Sequence, residues 1–147
     1  LAIKRSVVTP GVLLVLLGLA RNCKTLRVLH CIRSLAHMST HPKAKVMLNK
    51  EARKILRSAP GARDLTGRTD FAQIAVLGAR AALAVGNNTG PMHLIAAAGA
   101  PTIALFDGAP DTLRNAPRGH VAVLQAPTLA QLSVETVAQA AWSLLPR

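Results

Sequence analysis

From residue 70 onward the chain is written in short apolar blocks separated by small polar ones. Asp70, with Gln73 three residues on, has the form of a capping box, and Phe71, Ile74, Ala75 and Leu77 behind it fall mostly on one helical face. ALAVG at 82–86 is short, wholly apolar and closed by glycine, which is the pattern of a buried strand. NNTGP at 87–91 interrupts the apolar run, and Pro91 after Gly90 fits the first position of a helix that runs through PMHLIAAAGA to Gly99. PTIALF at 101–106 reads as a second buried strand, and HVAVLQ at 120–125 adds a third. A last helix starts near Ser133 and sets Val134, Val137, Ala138, Ala141, Leu144 and Leu145 on one side, a stripe suited to docking on a sheet.

Strand, tight turn, helix and strand in so short a span form a parallel unit, for which a right-handed crossover is expected. The predicted fold class is therefore α/β, a Rossmann-like parallel sheet that makes up half of a doubly wound architecture. In such sheets ligands bind beyond the carboxyl ends of the strands. NNTGP falls at that place.

Upstream the pattern weakens. VMLNKEARKILRS at 46–58 has apolar residues near helical spacing, and APGARDLTGRT at 59–69 reads as a loop marked by Pro60, Gly61 and Gly67. Near the start, LAIKRS followed by VVTPGVLLVLLGLA resembles the charged and apolar regions of a secretory signal. The apolar run falls short of the roughly 20 residues that span a bilayer. Pro10 and Gly11 interrupt it, and no small-x-small cleavage site follows at Arg21, Asn22, Cys23 and Lys24. A buried strand or a short helix is the alternative reading.

Charge divides the chain in the same way. Residues 1–62 carry 12 of the 18 Lys and Arg against one acidic residue, a net +11, whereas residues 63–147 carry six against five, a net +1. The expected organisation is a basic, poorly ordered segment at 1–45 and a folded domain at 46–147. With 147 residues and 50% hydrophobic content the chain is long enough for one real core. Only 2% of residues are aromatic and none is tyrosine, which leaves bases little to stack on and argues against a nucleic-acid partner despite the formal +12. Cys23, Cys31, His37 and His41 are good metal ligands by type. Their spacing lacks the close Cys pair that grips one ion from a tight turn, so no metal is expected. Two cysteines with no framework around them fit reduced thiols in cytoplasm.

The NNTGP turn is the chemical signal. Its polar side chains and glycine add nothing to a core. Gly90 lets an anion approach the backbone, and the N–H groups of the first helical turn, at the positive end of the helix dipole, point at it. A phosphate or diphosphate suits such a place, with Thr89 adding a hydroxyl and Asn87 or Asn88 able to bind a polyol. The competing reading is that Asn88 or Thr89 merely caps the helix.

The stretch DLTGRTDFAQIAVLGARAALAVGNNTGPMHLIAAAGAPTIALF resembles the carboxyl-terminal domain of glycosyltransferase family 9, the lipopolysaccharide heptosyltransferases. That family has a strand ending in G-N-D-[ST]-G-x-x-H, then a small-residue helix and a strand ending in Leu-Phe. The resemblance covers about residues 50–147, and residues 1–45 show none. It implies a GT-B fold in which this half binds a nucleotide-activated sugar of the ADP-heptose kind, for inverting transfer without a chelated metal or other cofactor. Carried over by position, Thr89 and Gly90 match the diphosphate-binding residues and Asn88 the sugar-contacting one. Thr69 lies at the approach to the nucleoside, and Asn87, Met92, His93 and Asp107 are further candidates. His93 is weighed equally as a packing or capping residue, Asp107 and Asp111 follow the Leu-Phe strand on the cleft side, and His120 reads as a surface loop residue.

Two departures matter. Asn88 stands where the family has an aspartate, keeping its shape and losing its charge. An acceptor domain with its catalytic base is missing, so no catalytic residue is assigned and the chain reads as a shortened, weak or inactive relative that needs a separate acceptor domain. The expected location is cytoplasmic, in peripheral contact with the inner membrane face. The alternative is a non-enzymatic basic module binding anionic membrane or nucleic acid.

Overall fold

The elements run in the order β1 (Arg5–Thr9), β2 (Val12–Leu16), β3 (Ala62–Asp64), α1 (Phe71–Ala79), β4 (Leu83–Asn87), α2 (Gly90–Ala97), β5 (Thr102–Asp107), β6 (Val121–Ala126), a 3-10 turn (Leu129–Gln131) and α3 (Val134–Leu144). The computed structural model describes residues 5–9, 12–16, 53, 57, 62–65, 68–108 and 114–145. Cys23, Cys31, His37, His41 and Asp111 lie outside the described residues, as does most of the 46–58 helix, of which Arg53 and Arg57 are described as helical.

The strands form one sheet in the order β3-β1-β2-β4-β5-β6. β4, β5 and β6 are parallel, with Val85 opposite Ile103 and Ala104 opposite Val123. This is the predicted Rossmann-like unit, shifted by one residue at each strand. On the far side of β4 the sheet continues with β2 antiparallel to β4, β1 antiparallel to β2, and β3 parallel to β1. β2 lies in the apolar run VVTPGVLLVLLGLA and takes the strand alternative. β3 lies in the stretch read as a loop; a three-residue edge strand with two charged residues carries no alternation to betray it, and its partner β1 is more than fifty residues away. The sheet thus draws strands from both sides of the sequence boundary at residues 45 and 46.

Helices cover both faces of β4 and β5. On one face Leu83, Val85, Ile103 and Leu105 pack with Leu129, Leu132 and the α3 residues Val134, Val137, Ala138 and Ala141. On the other, Ala84 packs with Ile74 of α1, Met92 and Ile95 of α2, and Ala81 and Ala100. Alternate residues of β4 therefore serve opposite cores, and for that reason the strand is apolar without interruption. α1 and α2 meet closely at Gly78, where an added Cβ would sit 3.1 Å from the Cα of Ile95.

The helix ends follow local rules. Asp70 caps α1, accepting from the Gln73 N–H at 2.7 Å while the Gln73 side chain accepts from the Asp70 N–H at 3.1 Å. Ser133 caps α3 through the Thr136 N–H. α2 ends with Gly99 at φ +94°, the Gly99 N–H donating to Ala96 O and the Ala100 N–H to Ile95 O, the paired bonds of a Schellman motif. Phe71, assigned by periodicity to the core face, is instead 72% exposed. It is the first residue of α1 and lies beyond the reach of the α2 contact.

Candidate functional site

Three residues link α1 to β4, and two separate β4 from α2. α1 therefore runs back along the strand that follows it, and α2 begins where that strand ends. Both helices lie on the same face of the sheet. Their amino termini consequently both lie toward the carboxyl edge of β4, the edge at which parallel α/β sheets bind ligands.

At that edge β4 ends in Asn87, which is buried and already engaged by the protein. The Asn88 N–H reaches Leu105 O at 3.3 Å and prolongs the pairing with β5 by one residue. Thr89 follows in extended conformation, φ −134° and ψ 160°, as the cap of α2. Its carbonyl accepts from the N–H groups of Met92 and His93. Gly90 and Pro91 are then the first two helical residues, so the proline stands one position later than predicted, still where a missing N–H deprives the helix of nothing.

The Thr89 side chain is unusual for a cap. It makes no capping hydrogen bond, and its Oγ1 is buried without a partner. Thr69, immediately before the α1 cap, has a buried Oγ1 in the same condition. Among the described residues these are the buried side-chain oxygens left unsatisfied, and such a group is destabilising by about 1–3 kcal/mol. Other polar side chains are served: the buried Thr102 hydroxyl donates to Ala100 O at 2.9 Å. The two unsatisfied hydroxyls stand at adjacent helix starts on one edge.

Around Thr69 lies an open groove of about 440 Å³, lined by Leu65, Arg68, Thr69, Ala72, Gln73, Val76 and Leu77. Its walls are mainly apolar, with Arg68 and Thr69 as polar groups at one end of α1. Such a groove fits a flat ring carrying a few hydrogen-bonding atoms. Of these lining residues the sequence assigns only Thr69 to the site; Gln73 and Leu77 read there as cap and core positions. The available signal was Val76, 55% exposed on a helix already supplied with an inward stripe.

Gly90 is exposed, its φ is not positive, and an added Cβ would meet nothing within 4 Å. The chain therefore has no packing need for glycine there. Beside it, His93 is exposed one turn into α2, and its Nε2 is 2.9 Å from Asn88 Oδ1. Asp107 is exposed at the carboxyl end of β5, on the same edge. Met92 is turned inward, wholly buried in the core beneath α1 and α2, so its side chain serves packing. His120 is exposed, and its carbonyl accepts from the Thr102 N–H. Among the described residues no three His, Cys, Asp or Glu side chains gather as a metal site, and no helix is long and apolar enough to cross a membrane.

The glycosyltransferase family 9 (heptosyltransferase) model matches residues 37–132, somewhat earlier at its start than the resemblance read from the sequence. No curated protein sequence matches the chain. Among solved structures, a glycosyl transferase family 9 protein from Veillonella parvula superposes with a TM-score of 0.61 at 18% identity, covering 85% of this chain and 43% of that one. The fold is thus α/β and Rossmann-like, one half of a GT-B architecture, and the chain spans less than half the length of that structure.

Proposed function

The chain belongs to glycosyltransferase family 9, and from that premise we propose that its carboxyl edge is a donor site for a nucleotide-activated sugar of the ADP-heptose kind, used in lipopolysaccharide core or related glycan synthesis. The observation that carries the reading is the pair of buried, unpartnered hydroxyls of Thr69 and Thr89 at neighbouring helix starts. In this reading the diphosphate lies against the start of α2. It accepts from the Thr89 hydroxyl and from the Gly90 N–H, since Pro91 has no N–H and those of Met92 and His93 bond Thr89 O, and the open space at Gly90 admits it. Asn88 contacts the sugar, the nucleoside lies along the groove with its polar atoms toward Thr69 and Arg68, and Asp107 faces the acceptor side.

The chemistry this edge can supply is charge stabilisation. As the bond between sugar and diphosphate breaks, negative charge grows on the leaving diphosphate, and fixed donors already aimed at it lower the barrier. A general base for an acceptor hydroxyl, together with acceptor positioning, belongs to a second domain that faces this one. General-base assistance is worth about 10²–10⁴-fold, so this domain alone transfers sugar weakly or not at all. In this reading the protein works at the inner face of the membrane, where a cytoplasmic sugar nucleotide and a lipid-linked acceptor meet, and the twelve Lys and Arg of residues 1–62 favour contact with anionic lipid.

Calorimetric titration of the full chain with ADP and ADP-heptose tests the reading, in the presence and absence of anionic vesicles. Saturable binding that vesicles leave intact, and that Gly90→Val abolishes without altering the circular dichroism spectrum, is expected. A Cβ at Gly90 meets no heavy atom within 4 Å, so a side chain there is expected to obstruct a guest rather than the fold. Equal binding by Gly90→Val would remove the donor-site reading, and nucleotide binding displaced by vesicles would favour a basic module that recognises anionic surfaces.

A further inference from the structure

The two edges of the sheet differ in charge. β1 and β4 both run antiparallel to β2, and β3 is parallel to β1, so Asp64 at the end of β3 and Asp107 at the end of β5 lie toward the carboxyl edge. Asp70 caps α1 on that side, and Glu135 stands in the first turn of α3, which starts beyond the end of β6. Every carboxylate side chain of the described residues thus lies toward the carboxyl edge, in company with Arg68. The amino edge holds basic side chains instead. Exposed Arg80 closes α1 just before β4 begins, and exposed Arg118 and His120 lead into β6. Gly119, between them, lies against the carboxyl end of α2, where an added Cβ would stand 3.2 Å from Ala96 O.

α3 ends at the same edge, and Trp142 in its last turn is 39% exposed. The inward stripe of α3 is already complete in Val134, Val137, Ala138 and Ala141, so the indole is surplus to the core. Cations near three helix carboxyl ends offset the helix dipoles, which accounts for the arginines and not for an exposed tryptophan. A basic edge that bears an indole matches the surface of an anionic bilayer, where guanidinium groups meet lipid phosphates and tryptophan sits at headgroup level. We propose that the amino edge, through Arg80, Arg118 and Trp142, is the face that docks on anionic lipid. This depends on the membrane contact proposed above and names the surface that makes it. β5 and β6 have six residues each, about 20 Å of strand, so the carboxyl edge is held that far from the lipid and opens to the water from which a soluble nucleotide arrives.

Trp142 is the single tryptophan of the chain, so its fluorescence reports this edge whatever residues 1–62 do. The full chain is mixed with vesicles of phosphatidylcholine, with and without phosphatidylglycerol and with brominated acyl chains as quencher, and binding is followed in parallel by sedimentation. Anionic vesicles are expected to shift Trp142 emission to the blue and to quench it, and high salt to reverse both. An arginine at an anionic surface is worth about fivefold in partitioning, so Arg80→Gln combined with Arg118→Gln lowers it roughly 25-fold. Both side chains are exposed, and the circular dichroism spectrum should not change. If the chain sediments with anionic vesicles while Trp142 is neither shifted nor quenched, or if the double variant partitions as the parent does, the amino edge is not the contact and the membrane reading stands. If the chain ignores vesicles, both fail. A shift of Trp142 that single-stranded RNA produces as strongly as lipid would overturn the bilayer in favour of a general polyanion surface. None of these readouts depends on nucleotide binding, so the donor site is tested apart.

Discussion

Replacing Thr89 by valine separates a ligand-binding hydroxyl from a helix cap, because the two roles predict opposite signs for stability. A threonine that caps a helix loses about 1 kcal/mol when its hydroxyl is removed. Here the hydroxyl caps nothing, and its oxygen is buried without a partner. Valine has nearly the same shape and is at ease at φ −134° and ψ 160°, since β-branched residues favour extended backbone. Removing the unsatisfied oxygen relieves a penalty of about 1–3 kcal/mol, part of which is offset by imperfect packing of the new methyl group. The expected change in unfolding free energy is therefore between zero and roughly +1 kcal/mol. Binding should move the other way. A hydrogen bond from a hydroxyl to a charged oxygen contributes about 1.5–3 kcal/mol, so ADP affinity should fall roughly 10- to 100-fold. Urea denaturation gives the first number and calorimetric titration with ADP the second. A Thr89→Val chain that is less stable by 1 kcal/mol or more and binds ADP unchanged would show that Thr89 is a cap and that its unpaired oxygen has no functional meaning.

Thr69→Val should likewise leave stability unchanged or slightly raised while weakening ADP, yet leave inorganic pyrophosphate binding untouched, because Thr69 lines the groove assigned to the nucleoside and not to the diphosphate; competition between the two ligands measures it. Gly119→Ala should destabilise the fold by about 1–3 kcal/mol, since Gly119 has φ +129° and an added Cβ would stand 3.2 Å from Ala96 O; a urea midpoint equal to that of the parent would contradict the backbone geometry.

The parts of the fold legible in the sequence are those in which local pattern and tertiary role agree. The Asp70 capping box, the unbroken apolar strand at β4 and the α3 stripe each carry their instruction within a few residues, and the structure follows them. β3 was not legible and β1 only in part, through the VVT that opens the apolar run, because their pairing joins Ser6 to Ala62, a contact that no short window contains, and because ARD, with two charged residues of three, does not alternate. Phe71 was misplaced for a related reason: period 3.6 identifies a face but does not say how far along the helix its neighbour extends. At the site, Thr89, Gly90 and Asn88 were read from a turn that no core requires. The groove was not, since Ala72 and Val76 look like packing residues until the structure leaves them exposed.

The helix starts differ from one another in a way that favours a ligand at this edge. α1 and α3 begin on side chains that satisfy backbone donors, Asp70 for Gln73 and Ser133 for Thr136, and even the 3-10 turn has its Thr128 N–H taken by the Gln131 side chain. α2 begins on a residue equally able to cap, in a conformation suited to capping, and its hydroxyl is turned away from that task. A chain selected for stability alone would gain from the cap, or from valine, at a single substitution. A hydroxyl that does neither, next to a glycine with no steric reason to be one, is accounted for by a polar guest that completes the site when bound. Ligand binding then stabilises the folded state by mass action, and saturating ADP should raise the unfolding midpoint of the parent while leaving that of Gly90→Val where it stands without nucleotide. A midpoint in the parent that ADP does not move would show that the open end of α2 is completed by water.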